Sequence, residues 1–99
     1  MEKNALFYMA NLYPEIGRMF SFLDSGKKEA SKNAQKRAID ITDKILSFLD
    51  IKPAGREEWF VIKNFILGYD KLDSYERLIL EKYAQPFSYK FMREYSTIR

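Results

Sequence analysis

Residues 28–50 read KEASKNAQKRAIDITDKILSFLD, and the spacing of their apolar side chains decides the fold class. Apolar residues recur at three- and four-residue steps on one side of a helix, whereas lysines recur every four residues on the other side. The apolar side comprises Ala30, Ala34, Ala38, Ile41, Ile45, Phe48 and Leu49. This pattern predicts an amphipathic helix over about residues 28–50, and the alanines in its first half allow close approach of a second helix.

Helical patterns lie on both sides of this segment. An apolar stripe in residues 1–26 predicts a first helix, in which Pro14 produces either a kink or a short break. Gly26 suits the left-handed residue that follows a helix. After the connection IKPAGRE, residues 56–68 are apolar over most of a helical circumference, which predicts a central helix. The stripe of the first helix comprises Ala5, Met9, Leu12, Ile16, Met19, Phe20 and Leu23.

The C-terminal part, LDSYERLILEKYAQPFSYKFMREY at residues 72–95, predicts two further helices. Asp73 and Glu76 have the spacing of a capping box, which marks the start of the first. Pro86 is expected to end it, and a short last helix follows over residues 87–95. The expected core stripe of the helix before Pro86 is Tyr75, Ile79 and Tyr83, widened by Leu78, Leu80 and Ala84.

These segments together predict an all-α fold, a bundle of about four long helices plus a short C-terminal helix. The 99 residues suit a single domain spanning 1–99. The longest apolar runs are too short to cross a membrane, and the N-terminus lacks the cationic start and apolar run of a signal peptide. We therefore expect a cytoplasmic protein.

The composition restricts the possible chemistry. The chain contains neither cysteine nor histidine, so disulfides, thiolate nucleophiles, the commonest general base and the commonest transition-metal ligands are excluded. The four glycines stand apart and form no phosphate-binding loop. We expect no cofactor, and the sequence favours a non-enzymatic role.

The charge distribution suggests a possible nucleic-acid contact. Residues 27–37 hold five basic residues and one acidic residue, and residues 82–99 hold four and one, around an acidic middle. Such basic segments can contact phosphates, but a net charge of +3 is mild, and a solvated helix face explains the lysines equally. The candidate contacts are Lys28, Lys32, Lys36, Arg37, Lys90 and Arg93.

Aromatic residues indicate a possible protein interface. They make up 16% of the chain, more than a single small core can bury, so some must lie on the surface. An exposed aromatic patch usually marks a protein partner or a dimer interface. The candidate interface residues, on helix one and the C-terminal helix, are Tyr8, Tyr13, Phe22, Phe91 and Tyr95.

Two aspartate pairs raise a third, remote alternative. Asp40 with Asp43, and Asp70 with Asp73, have an i, i+3 spacing that can hold a magnesium ion between helices. The structural alternative is that these are solvent-exposed carboxylates, one of which, Asp73, already caps a helix.

Residues 72–96 also resemble the first two helices of sigma-factor region 4 and of the phage late-transcription activators that share that module. The resemblance rests on Leu72, Glu76, Arg77, the run Leu78 to Leu80, Tyr83, Ser88 and Tyr89. It implies a helix pair with a transcription-related role. Pro86 stands where those families place a turn glycine, and the recognition helix that follows there is missing. Base-specific reading in a major groove is therefore not expected.

The sequence thus predicts a non-enzymatic helical module that interacts with a protein partner or with itself, in a regulatory setting if the resemblance holds. The alternative is a nucleic-acid-binding protein that uses the basic helix face. A carboxylate–metal enzyme is the remote third interpretation.

Overall fold

The computed structural model describes residues 4–48 and 52–96, with side chains described up to residue 90. All regular structure in these ranges is helical, which confirms the all-α fold class. A single 3₁₀ turn, Tyr69–Lys71, connects the third and fourth helices. The α-helices are α1 (Ala5–Asp24), α2 (Lys28–Leu46), α3 (Pro53–Leu67) and α4 (Ser74–Ser96).

Helix α1 ends just before the predicted glycine, and four residues of its predicted stripe, Leu12, Ile16, Met19 and Phe20, are buried. The Asn4 side chain accepts a hydrogen bond from the Phe7 amide at the N-terminus. At the C-terminus Gly26 takes φ +75°, and the amides of Gly26 and Lys27 bond back to the carbonyls of Leu23 and Phe22. This is the Schellman arrangement, which satisfies the last carbonyls of a helix.

The helix also continues through Pro14, so the alternative of a break there is wrong. The missing amide of Pro14 removes one helical hydrogen bond, whereas the residues on both sides bury apolar surface in the core. Leu12 and Ile16 are fully buried. Their burial on one continuous helix outweighs the lost hydrogen bond.

Helix α2 ends at Leu46, so the predicted end near residue 50 is wrong. Arg56, at the start of α3, explains the earlier end, because its guanidinium donates to the carbonyls of Leu46 at 2.6 Å and Phe48 at 2.9 Å. These contacts satisfy backbone acceptors that a longer helix would use internally. Leu49 lies outside the described residues. The buried face of α2 comprises Ser31, Ala34, Ala38, Thr42 and Ile45.

Helix α3 begins at Pro53, three residues before the predicted start, because proline is well suited to the first turn of a helix. Its expected central position is wrong as well. Only Trp59, Ile62 and Ile66 are buried in α3, while other large apolar residues of the helix face solvent.

The central helix is α1, which packs against α2 on one side and α4 on the other. Helix α3 packs against α2. Aromatic side chains connect α3 to α4: the Trp59 ring lies 5.3 Å from that of Tyr83 and 5.6 Å from that of Phe87. These contacts complete one core shared by all four helices.

A buried chain of hydrogen bonds joins three of these elements. Ser31 Oγ, on α2, donates to the carbonyl of Met19 on α1 at 2.8 Å. Because that donation uses the serine proton, the Tyr69 hydroxyl of the 3₁₀ turn donates to Ser31 Oγ at 2.6 Å. Ser31 is fully buried and Tyr69 is 5% exposed, so this polar contact lies inside the core.

Helix α4 starts with the predicted capping box. The Asp73 carboxylate accepts from the Glu76 amide at 2.8 Å, and the Glu76 carboxylate accepts from the Asp73 amide at 3.0 Å. Arg77, one turn in, donates to the Asp24 carboxylate at the end of α1 and lies 4.7 Å over the Phe20 ring. These contacts fix α4 against α1.

The predicted break at Pro86 and the separate short C-terminal helix are wrong, because α4 is continuous to Ser96. Proline costs a helix about 3 kcal/mol in its interior. Here Ala84 is fully buried just before Pro86, and Phe87 packs on the core just after it. One continuous helix lets both bury against the bundle.

The predicted core stripe of α4 is wrong in part. Leu80 and Ala84 are the fully buried residues, and Tyr83 is half-buried. Tyr75 is 71% exposed and Ile79 is 40% exposed. The helix is therefore rotated relative to the expected packing, and one of its apolar faces remains on the surface.

None of the helices within the described residues combines the length and apolar character needed to span a membrane.

Candidate protein-interaction surface

The most distinctive surface feature is a set of large apolar residues in contact with solvent. Those exposed by two fifths or more lie on the two helices of the C-terminal half. They are Phe60, Val61 and Leu67 on α3, and Tyr75, Leu78, Ile79 and Tyr89 on α4.

On α3 these residues share one side of the helix. At about 100° per residue, Phe60, Val61 and Leu67 point away from the buried side that holds Trp59. Exposed Glu57 and Asn64 lie between them on the same side. We call this set of five residues the α3 face; its single charge is negative.

On α4 the exposed apolar residues also follow one line. The same rotation per residue aligns Tyr75, Leu78, Ile79 and Tyr89 opposite the buried side of the helix. Exposed Lys82, Pro86 and Lys90 belong to the same line. We call these seven residues the α4 stripe; its two charges are positive.

The exposed apolar area is large for a domain of this size. From their exposed fractions, the seven large apolar residues leave on the order of 800 Å² per chain, close to what one partner contributes to a standard protein–protein interface. Isolated exposed apolar residues are ordinary, whereas such sets on neighbouring helices mark interaction sites.

A hydrogen bond between side chains also joins α3 to α4. The Tyr83 hydroxyl donates to the Glu58 carboxylate at 2.8 Å. Burial of the phenol raises the pKa of Tyr83 well above its ordinary value, and the hydrogen bond to Glu58 and the carboxylate charge raise this pKa further. The phenol therefore remains a donor across the physiological range.

The aromatic interface residues predicted from sequence lie elsewhere. Tyr8 and Tyr13 are half-buried and pack against the core, and Phe22 is half-buried on α1. The Tyr8 ring also contacts the Phe48 ring, with 5.9 Å between centroids. The side chains of Phe91 and Tyr95 lie outside the described part of the chain.

The predicted basic residues are only partly available. Lys28, Lys32 and Lys36 are exposed along α2 and form no ion pair among the described residues. Arg37, in contrast, donates from Nε to Glu15 Oε2 at 2.9 Å. The first two lysines border a cavity of about 250 Å³, whose remaining lining is Leu23, Tyr69 and Asp70.

Glu15 explains why Arg37 is occupied. Glu15 is 9% exposed, and its carboxylate receives Arg37 on Oε2. Arg18 Nη1 lies 3.2 Å from Oε1 as an ion pair, without the alignment of a hydrogen bond. Releasing Arg37 to a phosphate would leave this buried carboxylate with weaker compensation.

The second basic segment contributes less than its sequence suggests. Lys90 is exposed on α4, and the Arg93 side chain lies outside the described part of the chain. Helices α2 and α4 each pack on α1. The structure therefore does not join the two segments into one described basic patch.

The aspartates have structural surroundings. Asp43 accepts from Lys63 Nζ at 2.7 Å, and Asp73 serves the capping box. Asp40 and Asp70 are exposed. Within the described ranges, no three acidic side chains come together as a metal-binding group.

The segment that resembles sigma-factor region 4 forms one helix, α4, without the turn that separates two helices in a helix-turn-helix. Comparison with protein-family models, curated proteins and solved structures finds no match to this chain.

Sequence reasoning missed the α3 face and the α4 stripe for an identifiable reason. The sequence prediction assigns the apolar residues of α3, and Tyr75, Leu78 and Ile79 of α4, to the core, which makes α3 central and places Tyr75 inside. The signal that was present is the excess itself, because both helices carry apolar residues on two opposite sides. A small domain can bury only one of them.

Proposed function

We propose that this protein is a non-enzymatic helical interaction module that associates with a second copy of itself. The observation that carries the proposal is the exposed apolar area of the α3 face and the α4 stripe. In a monomer this area stays in water, where each square ångström costs about 25 cal/mol relative to burial. Association removes that cost.

A second copy is the occupant favoured by the charges. The α3 face carries Glu57, whereas the α4 stripe carries Lys82 and Lys90. One chain therefore presents two apolar surfaces of opposite charge, which complement each other between copies. The exposed area per chain also matches the share of a standard interface.

The test is the mass of the protein in solution. Sedimentation equilibrium over micromolar to near-millimolar concentrations should show a reversible increase above the monomer mass of 11.8 kDa. Phe60→Lys should weaken association by about tenfold or more, since it places a charge in the apolar face. Asn33→Lys is the matched control, because it adds the same charge at an exposed position of α2.

Helical content and thermal unfolding of each variant separate loss of association from loss of folding. A wild-type protein that remains monomeric at near-millimolar concentration contradicts the proposal. Equal weakening by the Asn33 control would also contradict it, because the effect would then come from net charge and not from the α3 face.

A second candidate function is phosphate-mediated binding of nucleic acid, favoured by the exposed lysines Lys28, Lys32 and Lys36, which form no ion pair with any residue that the structure describes. The continuity of α4 means that this binding does not use a helix-turn-helix. Three lysines on phosphates give a sequence-independent affinity whose logarithm falls with the logarithm of salt concentration at a slope of about −3.

Fluorescence anisotropy with labelled duplex and single-stranded DNA at two salt concentrations tests this candidate. Changing the three lysines to glutamine should abolish binding. Changing the exposed lysines Lys44, Lys52 and Lys71 to glutamine alters the net charge equally and should have little effect. Absence of binding by the wild type at low salt rejects the candidate.

A further inference from the structure

We infer that the self-association proposed above is a two-fold dimer in which the α3 face of each copy packs on the α4 stripe of the other. The inference rests on the proposed function and adds its geometry: two equivalent α3–α4 contacts related by symmetry. The α3 face does not pack on the α3 face of the other copy, and the α4 stripe does not pack on the other α4 stripe.

Electrostatics decides between the possible pairings. In a two-fold contact of α4 stripes, Lys82 and Lys90 of one copy face the same lysines of the other, which is repulsive. A contact between two α3 faces offers Glu57 no opposite charge, because the α3 face carries no other charged residue. The crossed pairing instead brings each Glu57 toward the lysines of the other copy, so the negative charge of each α3 face meets charges of opposite sign.

The sizes of the two surfaces agree with this pairing. Helix α3 carries its exposed apolar residues over eight positions, Phe60 to Leu67, a rise of about 10 Å. The α4 stripe extends from Tyr75 to Tyr89, a rise of about 21 Å. The shorter α3 face is therefore covered completely by the longer stripe, and its three apolar residues meet apolar residues there.

A closed dimer also follows from having both surfaces on each chain. One crossed contact leaves a free α3 face on one copy and a free α4 stripe on the other. When the rotation between copies is two-fold, these free surfaces meet and the assembly stops at two chains. Both contacts then contribute, and all of the exposed apolar area is used.

Complementation between two variants tests the geometry directly. Phe60→Lys damages the α3 face, and Leu78→Lys damages the α4 stripe; the added charges have the same sign, so the two damaged surfaces cannot attract each other. Each variant alone has both crossed contacts damaged. In a mixture, the hybrid dimer joins two damaged surfaces in one contact but keeps the other contact intact.

The measurement is sedimentation with fluorescence detection, with one variant labelled at its N-terminal amine. We expect the dimer dissociation constant of each variant alone to be about tenfold or more above that of the wild type. The mixture should form a 1:1 hybrid dimer at concentrations at which each variant alone is monomeric. Labelled Phe60→Lys with unlabelled Phe60→Lys is the control mixture. Asn33→Lys variants should dimerise like wild type.

The outcomes separate this inference from the proposed function. A wild type that stays monomeric ends both. A dimeric wild type whose two variants fail to complement each other overturns the crossed pairing while self-association stands. A wild type that forms assemblies larger than two chains overturns the two-fold closure.

Discussion

The buried hydrogen bonds of Ser31 make the sharpest prediction about the fold. Replacing Ser31 by alanine removes its donation to the Met19 carbonyl and leaves the Tyr69 hydroxyl without its acceptor. Each hydrogen bond contributes about 1 kcal/mol net, and an orphaned buried donor costs about 1–3 kcal/mol. We expect Ser31→Ala to lower the free energy of unfolding by about 2–3 kcal/mol.

Tyr69→Phe removes only one hydrogen bond and leaves the donation from Ser31 to Met19 intact, so its expected cost is about 1 kcal/mol. In the Ser31→Ala background the same change removes the orphaned hydroxyl and should cost almost nothing. The two substitutions are therefore expected to be non-additive, with a coupling energy of about 1 kcal/mol.

Urea unfolding followed by tryptophan fluorescence measures all four proteins, because Trp59 is the only tryptophan and is 2% exposed. Ser21→Ala, at an exposed position of α1, corrects for the higher helix propensity of alanine. Additive effects within about 0.5 kcal/mol would show that Ser31 and Tyr69 contribute independently, and the reasoning from the hydrogen-bond chain would be refuted.

Three further predictions concern single positions. Asp73→Ala should cost about 1 kcal/mol of unfolding free energy by removing the capping box, and Asp70→Ala, at an exposed site outside the box, should cost little. Gly26→Ala should destabilise by about 1–2 kcal/mol in urea unfolding because φ is +75°, whereas Gly17→Ala, within α1 and with open space around it, should stabilise by up to about 1 kcal/mol. Because the pKa of Tyr83 is raised in the folded protein, this group should leave the free energy of unfolding unchanged below about pH 10. As the pH rises further the free energy of unfolding should fall, since the phenol then ionises only in the unfolded chain. Glu58→Gln should lower the pKa of Tyr83, which absorbance titration against the wild type measures; an unchanged titration would contradict the assigned hydrogen bond.

Local signals in the sequence predicted local structure well. Gly26 was expected after a helix and adopts the left-handed conformation there, and the capping box of Asp73 and Glu76 forms as its spacing indicates. Both features depend on a few neighbouring residues, so they can be predicted without knowledge of the tertiary contacts. The stripe of α1 was also predicted, because Leu12 and Ile16 belong to its single continuous apolar side.

Proline positions were predicted less well, because their outcome depends on distant packing. A proline inside a helix has a local free-energy cost that is visible in the sequence, whereas the distant packing contacts that offset this cost are not. At Pro86 the compensation comes from α1 and α3, through buried Ala84 and through the contacts of Phe87 with Trp59. The fold therefore keeps one helix where a local rule divides it.

The faces of α3 and α4 could not be assigned from sequence, since each helix offers two apolar sides and periodicity does not rank them. In α4 one side holds Leu80 and Ala84, and the other holds Tyr75 and Ile79. The small residue Ala84 lets α4 approach α1 closely, which a side containing Tyr75 does not permit.

The apolar side of each helix that does not pack on the core is then exposed to solvent unless a partner covers it. A sequence under no demand for association can place charged residues there at little cost in stability, because exposed helix positions tolerate them. This chain instead keeps Phe60 and Val61 on α3, and Tyr75 and Leu78 on α4, in contact with water. The same apolar excess that misplaced α3 at the centre of the predicted bundle is thus the strongest argument for a partner surface. The opposite charges of the two faces then favour a second copy as that partner.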